Sequence, residues 1–142
     1  MAQNYANHRR VVPMYHYVSL LLTLAVLIGS IVNLFKAMGG GGLYSASLIA
    51  AMAFNFAIIF FYSRIFALKA QDRAIRAEEN LRHYLMNGKP LDAQLDIRQI
   101  IGLRFASDEE YLELEKKAVA ENMKEEAIKK AIKNWREDTY RV

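Results

Sequence analysis

The chain has no cysteine, only two prolines, and no acidic residue before Asp72. The first absence removes disulfides and thiolate catalysis, and leaves cysteine usage silent on the redox compartment. The scarcity of proline leaves long stretches unpunctuated, and from Leu43 to Asn87 neither proline nor glycine interrupts a helix. The missing acids make residues 1–71 purely cationic, through Arg9, Arg10, Lys36, Arg64 and Lys69. Residues 72–142 carry 14 basic and 15 acidic groups, so the net charge of +4 and the pI near 9.3 originate in the first half. Those charges flank apolar runs and do not form the basic face that nucleic acid requires.

Hydrophobic residues make up 54% of the chain and are unevenly spread. Tyr17 to Phe35 and Leu43 to Ser63 are uncharged. At about 1.5 Å per residue each run covers roughly 30 Å, the thickness of a bilayer's hydrocarbon core. A soluble protein of this size has too little material to cover two helices that are apolar all round. A cleaved signal peptide has a shorter apolar core and a small-residue cleavage site, which the first run lacks. The fold class predicted is therefore all-α: a transmembrane helical hairpin whose second helix extends into the cytoplasm, followed by a small helical tail. Its segments are a cytoplasmic N-terminal stretch (1–16), a first span (17–36), an external Gly-rich turn (37–43), a second span (44–63), a stalk (64–87) and the tail (88–142).

The positive-inside rule sets the orientation. Arg9 and Arg10 precede the first span, while Arg64, Lys69, Arg73 and Arg76 follow the second, and the intervening turn holds only Lys36. Both termini are expected in the cytoplasm and Gly39 to Gly42 outside. Tyr15, Tyr17 and Tyr62 then share the inner interface, and Tyr44 lies at the outer one. The basic stripe of Lys69, Arg73 and Arg76 has two readings, a solvated face or contact with anionic lipid headgroups.

Small and polar residues are sorted by face within the spans. Ser19, Thr23, Ser30 and Asn33, with Val26, form an expected seam on the first, and Ala46, Ala50, Ala53 and Ala57 form one on the second. Ser47, Ala51 and Asn55 lie on another face of the second span, and Asn55, near mid-bilayer, requires a hydrogen-bond partner. Along the stalk, Ala67, Ala70, Ala74, Ala77, Leu81 and Leu85 repeat at threes and fours, a stripe expected to be covered by the tail or by a partner. Asp72 with Arg76 and Glu78 with Arg82 have favourable i,i+4 order.

"NGKP" at Asn87 to Pro90 predicts the end of the long helix. Beyond it, Asp96 is placed to cap "IRQIIGLRF", and Ser107 with Glu110 and Asn122 with Glu125 have capping-box spacing. Three helices are expected, near 97–105, 108–121 and 123–139, the last with an apolar stripe of Ile128, Ala131, Ile132 and Trp135. So few residues make a marginal core, so the tail is expected to lean on the stalk, the membrane surface or a partner. Lys129, Lys133 and Arg136 flank the last stripe as a solvated or membrane-facing set, and Glu109, Glu110, Glu113 and Glu115 read as a solvated acidic cluster.

Catalytic groupings are not evident. His8, His16 and His83 have no metal-ligand spacing, and "GGGG" lacks the Lys and Ser/Thr of a phosphate loop. No nucleophile–base pair stands out. No catalytic residue, cofactor or metal is expected.

The stretches "MAQNYANHRRVVPMYHYV", "FALKAQDRAIRAEENLRHY" and "IIGLRFASDEEYLELEKKAVAENM", with "IKNWREDTYRV", resemble a family of small uncharacterised bacterial membrane proteins with two spans and a cytoplasmic tail. The resemblance covers nearly the whole chain. It implies a bacterial inner membrane and two spans, and carries no established activity or catalytic residue. Such proteins are sometimes labelled ABC-transporter permeases, yet two spans are too few for a pathway and no ATP-binding motif is present. The expected function is a non-enzymatic scaffold or accessory subunit of the inner membrane, self-associating or docking onto a larger membrane complex. The alternative is an oligomeric transport subunit with Ser19, Thr23, Ser30, Asn33 and Asn55 facing a lumen, and an enzyme with an unrecognised site is a minor third.

Overall fold

The computed structural model describes residues 3–138. A π-helical turn, Met14–Ser19, leads into α1 (Leu20–Ala37), and α2 (Leu43–Asn87) follows. Three shorter helices complete the chain: α3 (Ile97–Leu103), α4 (Asp108–Ala120) and α5 (Glu125–Ala131). The described residues are all-helical, without a strand, and a single isolated bridge joins Ala106 to Trp135. Two of the helical stretches, Met14–Ala37 and Leu43–Asn87, are long and apolar enough to cross a membrane. The chain divides into two compact units, Val11–Ala67 and a second made of the residues up to Arg10 and from Leu68 onward.

Within Val11–Ala67, α1 and the first part of α2 meet over small side chains. Ser30, Ala46, Ala50 and Ala53 are buried, with Ser19, Thr23 and Ala57 half-buried beside them. Side chains this small let two helix backbones approach closely, which is how spans pack where lipid removes the hydrophobic incentive. Ser30 donates its hydroxyl to the Leu27 carbonyl at 2.8 Å and so is satisfied within its own helix. Val26 and Asn33, expected on this seam, are exposed. The seam drifts instead through half-buried Leu27 and Leu34. At about 100° per residue, Val26 and Asn33 fall roughly 60–80° to one side of that line.

α2 stops where the sequence indicates, with Gly88 at φ +67 just past Asn87 and its N–H on the Tyr84 carbonyl at 2.8 Å. That left-handed position is one glycine occupies without steric cost. Asp96 caps α3 in a full capping box with Gln99. The other two proposed boxes do not form. Ser107 precedes α4 without a side-chain cap bond, and Lys124 stands before α5 in the place expected for Asn122. Asn122 is instead left-handed, φ 47, and closes α4 in a Schellman turn through Met123 N–H to Ala118 O (3.0 Å) and its own N–H to Val119 O (3.3 Å).

The second unit has one apolar core, in which Tyr111, Phe105, Ile100, Leu103 and Ile128 are fully buried and Ile75 of α2 takes part. Each such side chain contributes about 1.5–3 kcal/mol by leaving water. The tail therefore leans on the stalk. α5 ends at Ala131, eight residues before the expected boundary of 139, because the chain turns extended at Ile132. Arg136 N–H then bonds to Phe105 O (2.7 Å), and Ser107 N–H to Asn134 O (3.0 Å). Pairing with a segment thirty residues away, which buries Ile132 and half-buries Trp135, outweighs local helix preference.

α3 and α5 approach closely at Gly102, where an added Cβ would stand 3.2 Å from Cβ of fully buried Ile128 and 3.3 Å from the Glu125 carbonyl oxygen. Neither atom can yield without moving α5. Gly102→Leu is expected to destabilise this unit by at least about 1–3 kcal/mol, read as an earlier denaturant midpoint in the fluorescence of Trp135, the single tryptophan. An unchanged midpoint would refute the close-packing account.

Candidate functional site

The last turns of α2 turn a mixed face toward the tail, made of Ile75, Glu79, Arg82 and His83 at spacings of three and four. Glu79 is buried, its side chain 7% exposed. A carboxylate taken out of water costs several kcal/mol unless a cation and hydrogen bonds compensate it. Arg82 supplies both. Its Nη1 lies 3.1 Å from Glu79 Oε2, its Nη2 donates to the Ala106 carbonyl at 2.7 Å, and its Nε and Nη2 reach Asp108 Oδ1 at 2.8 and 2.6 Å. The guanidinium also lies over the Tyr111 ring, 4.4 Å from the centroid. Five donors in a fixed plane make arginine suited to bind a stalk carboxylate, a tail carbonyl and a tail carboxylate at once. Asp108 is 71% exposed, so its pairing is screened by water and contributes about 0–1 kcal/mol. Burial, with the charge of Glu79, pushes the Tyr111 phenol far above its ordinary value, so it stays neutral.

One turn further on, His83 is buried against Glu115 of α4. Its Nδ1 is 2.7 Å from the Lys89 carbonyl and its Nε2 is 2.9 Å from Glu115 Oε2. A carbonyl oxygen only accepts, which places a hydrogen on Nδ1 and leaves Nε2 to share a proton with the carboxylate. Both ring nitrogens thus face oxygens of the chain itself at hydrogen-bond distance. The pair ties the end of α2, the following loop and α4 together. Among the described residues no group of three or more His, Asp or Glu side chains is arranged to hold a metal ion.

The N-terminal segment belongs to the same unit. His8 stands 5.8 Å, centroid to centroid, from both Phe105 and Trp135, and stacks on Tyr5 at 5.7 Å. The Gln3 amide makes reciprocal bonds with Asp138, accepting from its N–H at 2.7 Å and donating to its carbonyl at 3.3 Å. Asp138 in turn pairs with Arg104. Lys129, expected on an outer face, is buried beside Glu125 (2.5 Å) with its ammonium over Phe105. Glu110 and Glu115, read as solvated, cap the Lys133 and Asn134 amides and bind His83 respectively.

The residues singled out in the sequence fall into distinct places. Tyr15 and Arg64 come together: Tyr15 stacks on Phe60 at 4.6 Å, donates to the Phe60 carbonyl at 2.8 Å and lies beneath the Arg64 guanidinium. Arg9, Arg10, Tyr17, Tyr62, Lys69, Arg73 and Arg76 are exposed. Ala74, Ala77 and Leu81 are exposed as well, Leu81 at 59%, so the tail does not cover that stripe. The tail covers the neighbouring face, where Ile75 supplies the apolar contact and Glu79 and His83 the polar ones. Neither proposed i,i+4 pair forms, since Arg82 takes Glu79 in place of Glu78 and Arg76 donates to the Leu95 carbonyl. Gln3, Glu79 and Tyr111 are not singled out by the sequence patterns above, and the packing of His8 and the pairing of Glu115 differ from what the sequence predicts. An acid within one turn of an arginine on a helix was the available signal for Glu79.

Replacing Arg82 with methionine leaves the buried Glu79 carboxylate only the half-exposed Arg136 guanidinium at 3.8 Å and is expected to destabilise the unit by about 3 kcal/mol. Removing both charges, in Glu79→Met with Arg82→Met, should recover most of the loss, whereas Asp108→Ala should cost under about 1 kcal/mol. Denaturant unfolding followed at Trp135 measures all three, and equal losses for Arg82→Met and Asp108→Ala would contradict this ranking.

No curated protein and no solved structure matches the chain. A family described as of unknown function, DUF6526, matches residues 1–142. With its two apolar helices and charged stalk-and-tail unit, the chain belongs to the DUF6526 family.

Proposed function

We propose that this chain is a non-enzymatic integral protein of a bacterial inner membrane, acting as a scaffold or accessory subunit through helix–helix association, with a second copy or a larger membrane complex as partner. The observation that carries this reading is Asn55. It lies near the middle of the apolar part of α2, is exposed on the surface of the chain, and has no hydrogen-bond partner among the described residues. In hydrocarbon an amide left unbonded is costly, and a neighbouring helix satisfies it. Around it Met52, Phe54, Phe56, Ile58 and Ile59 are also exposed, a surface suited to lipid and to other spans.

The folding of residues 3–10 with residues 68–138 in one unit supports a hairpin with both termini on one side, and the basic flanks favour the cytoplasm for that side. The engagement of both His83 nitrogens supports a structural role for the best-placed acid–base pair. Transport has less support, because the polar span residues do not converge within the chain. Ser19 and Thr23 border an apolar groove, Ser30 is buried in the seam, and Asn33 and Asn55 are exposed.

Asn55→Leu is expected to weaken self-association or recovery of a membrane complex by about 1 kcal/mol, roughly fivefold in the association constant, with no change in solute leakage through reconstituted vesicles. Altered leakage with unaltered assembly would favour the transport reading instead.

A further inference from the structure

Six arginines lie between Leu68 and Asp138. Arg82, Arg98, Arg104 and Arg136 each stand within ion-pair distance of a carboxylate. Arg73 and Arg76 have no such partner among the described residues, and these two line the same cleft, of about 510 Å³. Separated by three positions on α2, they share a helix face. The opposite wall is the loop from Leu91 to Leu95 together with Ile100 of α3.

The cleft is held open by the stalk itself. Asn80 Oδ1 accepts the Leu91 N–H at 3.0 Å, and Arg76 Nη2 donates to the Leu95 carbonyl at 3.2 Å, so the loop is pinned at both ends. The one acid in the lining, Asp92, accepts the Gln94 N–H at 2.8 Å and pairs with neither arginine. Leu95 and Ile100, both buried, give the cleft an apolar wall. Two guanidiniums without acids beside an apolar surface, Arg76 held by the Leu95 carbonyl and Arg73 exposed next to it, match an anion that carries a hydrocarbon group. The planar fork of arginine favours phosphate, which accepts two parallel N–H bonds.

We propose that this cleft binds the phosphate group of an amphipathic phosphate ester through Arg73 and Arg76. Membrane phospholipid headgroups and free phosphate esters share this chemistry. Calorimetry on the full-length chain in a neutral detergent separates them, with dihexanoylphosphatidylglycerol and inorganic phosphate as probes. Phosphatidylglycerol binding should weaken roughly tenfold in Arg73→Gln, which loses a charged donor and no internal hydrogen bond, and should weaken further as salt rises. Arg76→Lys should retain more affinity than Arg76→Gln. Displacement by inorganic phosphate assigns the site to free phosphate compounds, and binding confined to the lipid assigns it to headgroups. Unchanged affinity in Arg73→Gln, or no binding of either probe at millimolar concentration while Trp135 fluorescence shows the unit folded, overturns the proposal.

Discussion

A buried carboxylate fixes how the stalk meets its tail. Glu79 can leave water only where a cation follows it, and Arg82, three residues on, is that cation. Once Arg82 turns inward its remaining donors require acceptors, and the Ala106 carbonyl and Asp108 provide them. Those contacts bring in the α3–α4 junction, set Tyr111 beneath the guanidinium, and place α4 so that Glu115 reaches His83. The apolar core closes around this polar axis, with Ile75 as the stalk's fully committed hydrophobic residue. A purely apolar interface would tolerate sliding or rotation of the tail about the helix. Paired charges with directional hydrogen bonds define one register.

That axis also explains what was legible in the sequence. Uncharged runs and the absence of helix breakers announced two long helices, because length and composition alone decide whether a segment is apolar enough to span. Gly88 and the Asp96 cap marked real boundaries, since caps are local chemistry. The small-residue positions Ser30, Ala46, Ala50 and Ala53 come together because side-chain size acts directly on helix approach. The stalk's covered face was not legible. Hydrophobic periodicity selects Ala74, Ala77 and Leu81, but burial went to Glu79, paired with Arg82 one turn on, and to His83, whose partner Glu115 lies on another helix, and neither pairing carries a periodic apolar signal. The end of α5 escaped for the same reason, as did the seating of Gln3 and His8 on the tail.

The two units present different surfaces. Val11–Ala67 buries little beyond its small-residue seam and exposes aliphatic and aromatic side chains, as spans do toward lipid or other spans. The other unit has a packed core, engaged charges and a cleft where two arginines remain without acids. Membership of DUF6526 gives the chain a family without an activity, and the proposed scaffold role rests on Asn55 and the uncovered apolar surface around it.

The absence of cysteine makes the arrangement directly measurable, because any introduced thiol is unique. Single variants Gln3→Cys, Gly40→Cys and Glu126→Cys, expressed in a bacterial membrane, report sidedness through a membrane-impermeant maleimide. The account predicts labelling of Gly40→Cys in intact cells, and labelling of Gln3→Cys and Glu126→Cys only after permeabilisation. Equal labelling of all three in intact cells, or opposite sidedness for Gln3→Cys and Glu126→Cys, would contradict a hairpin whose two ends fold together on one side.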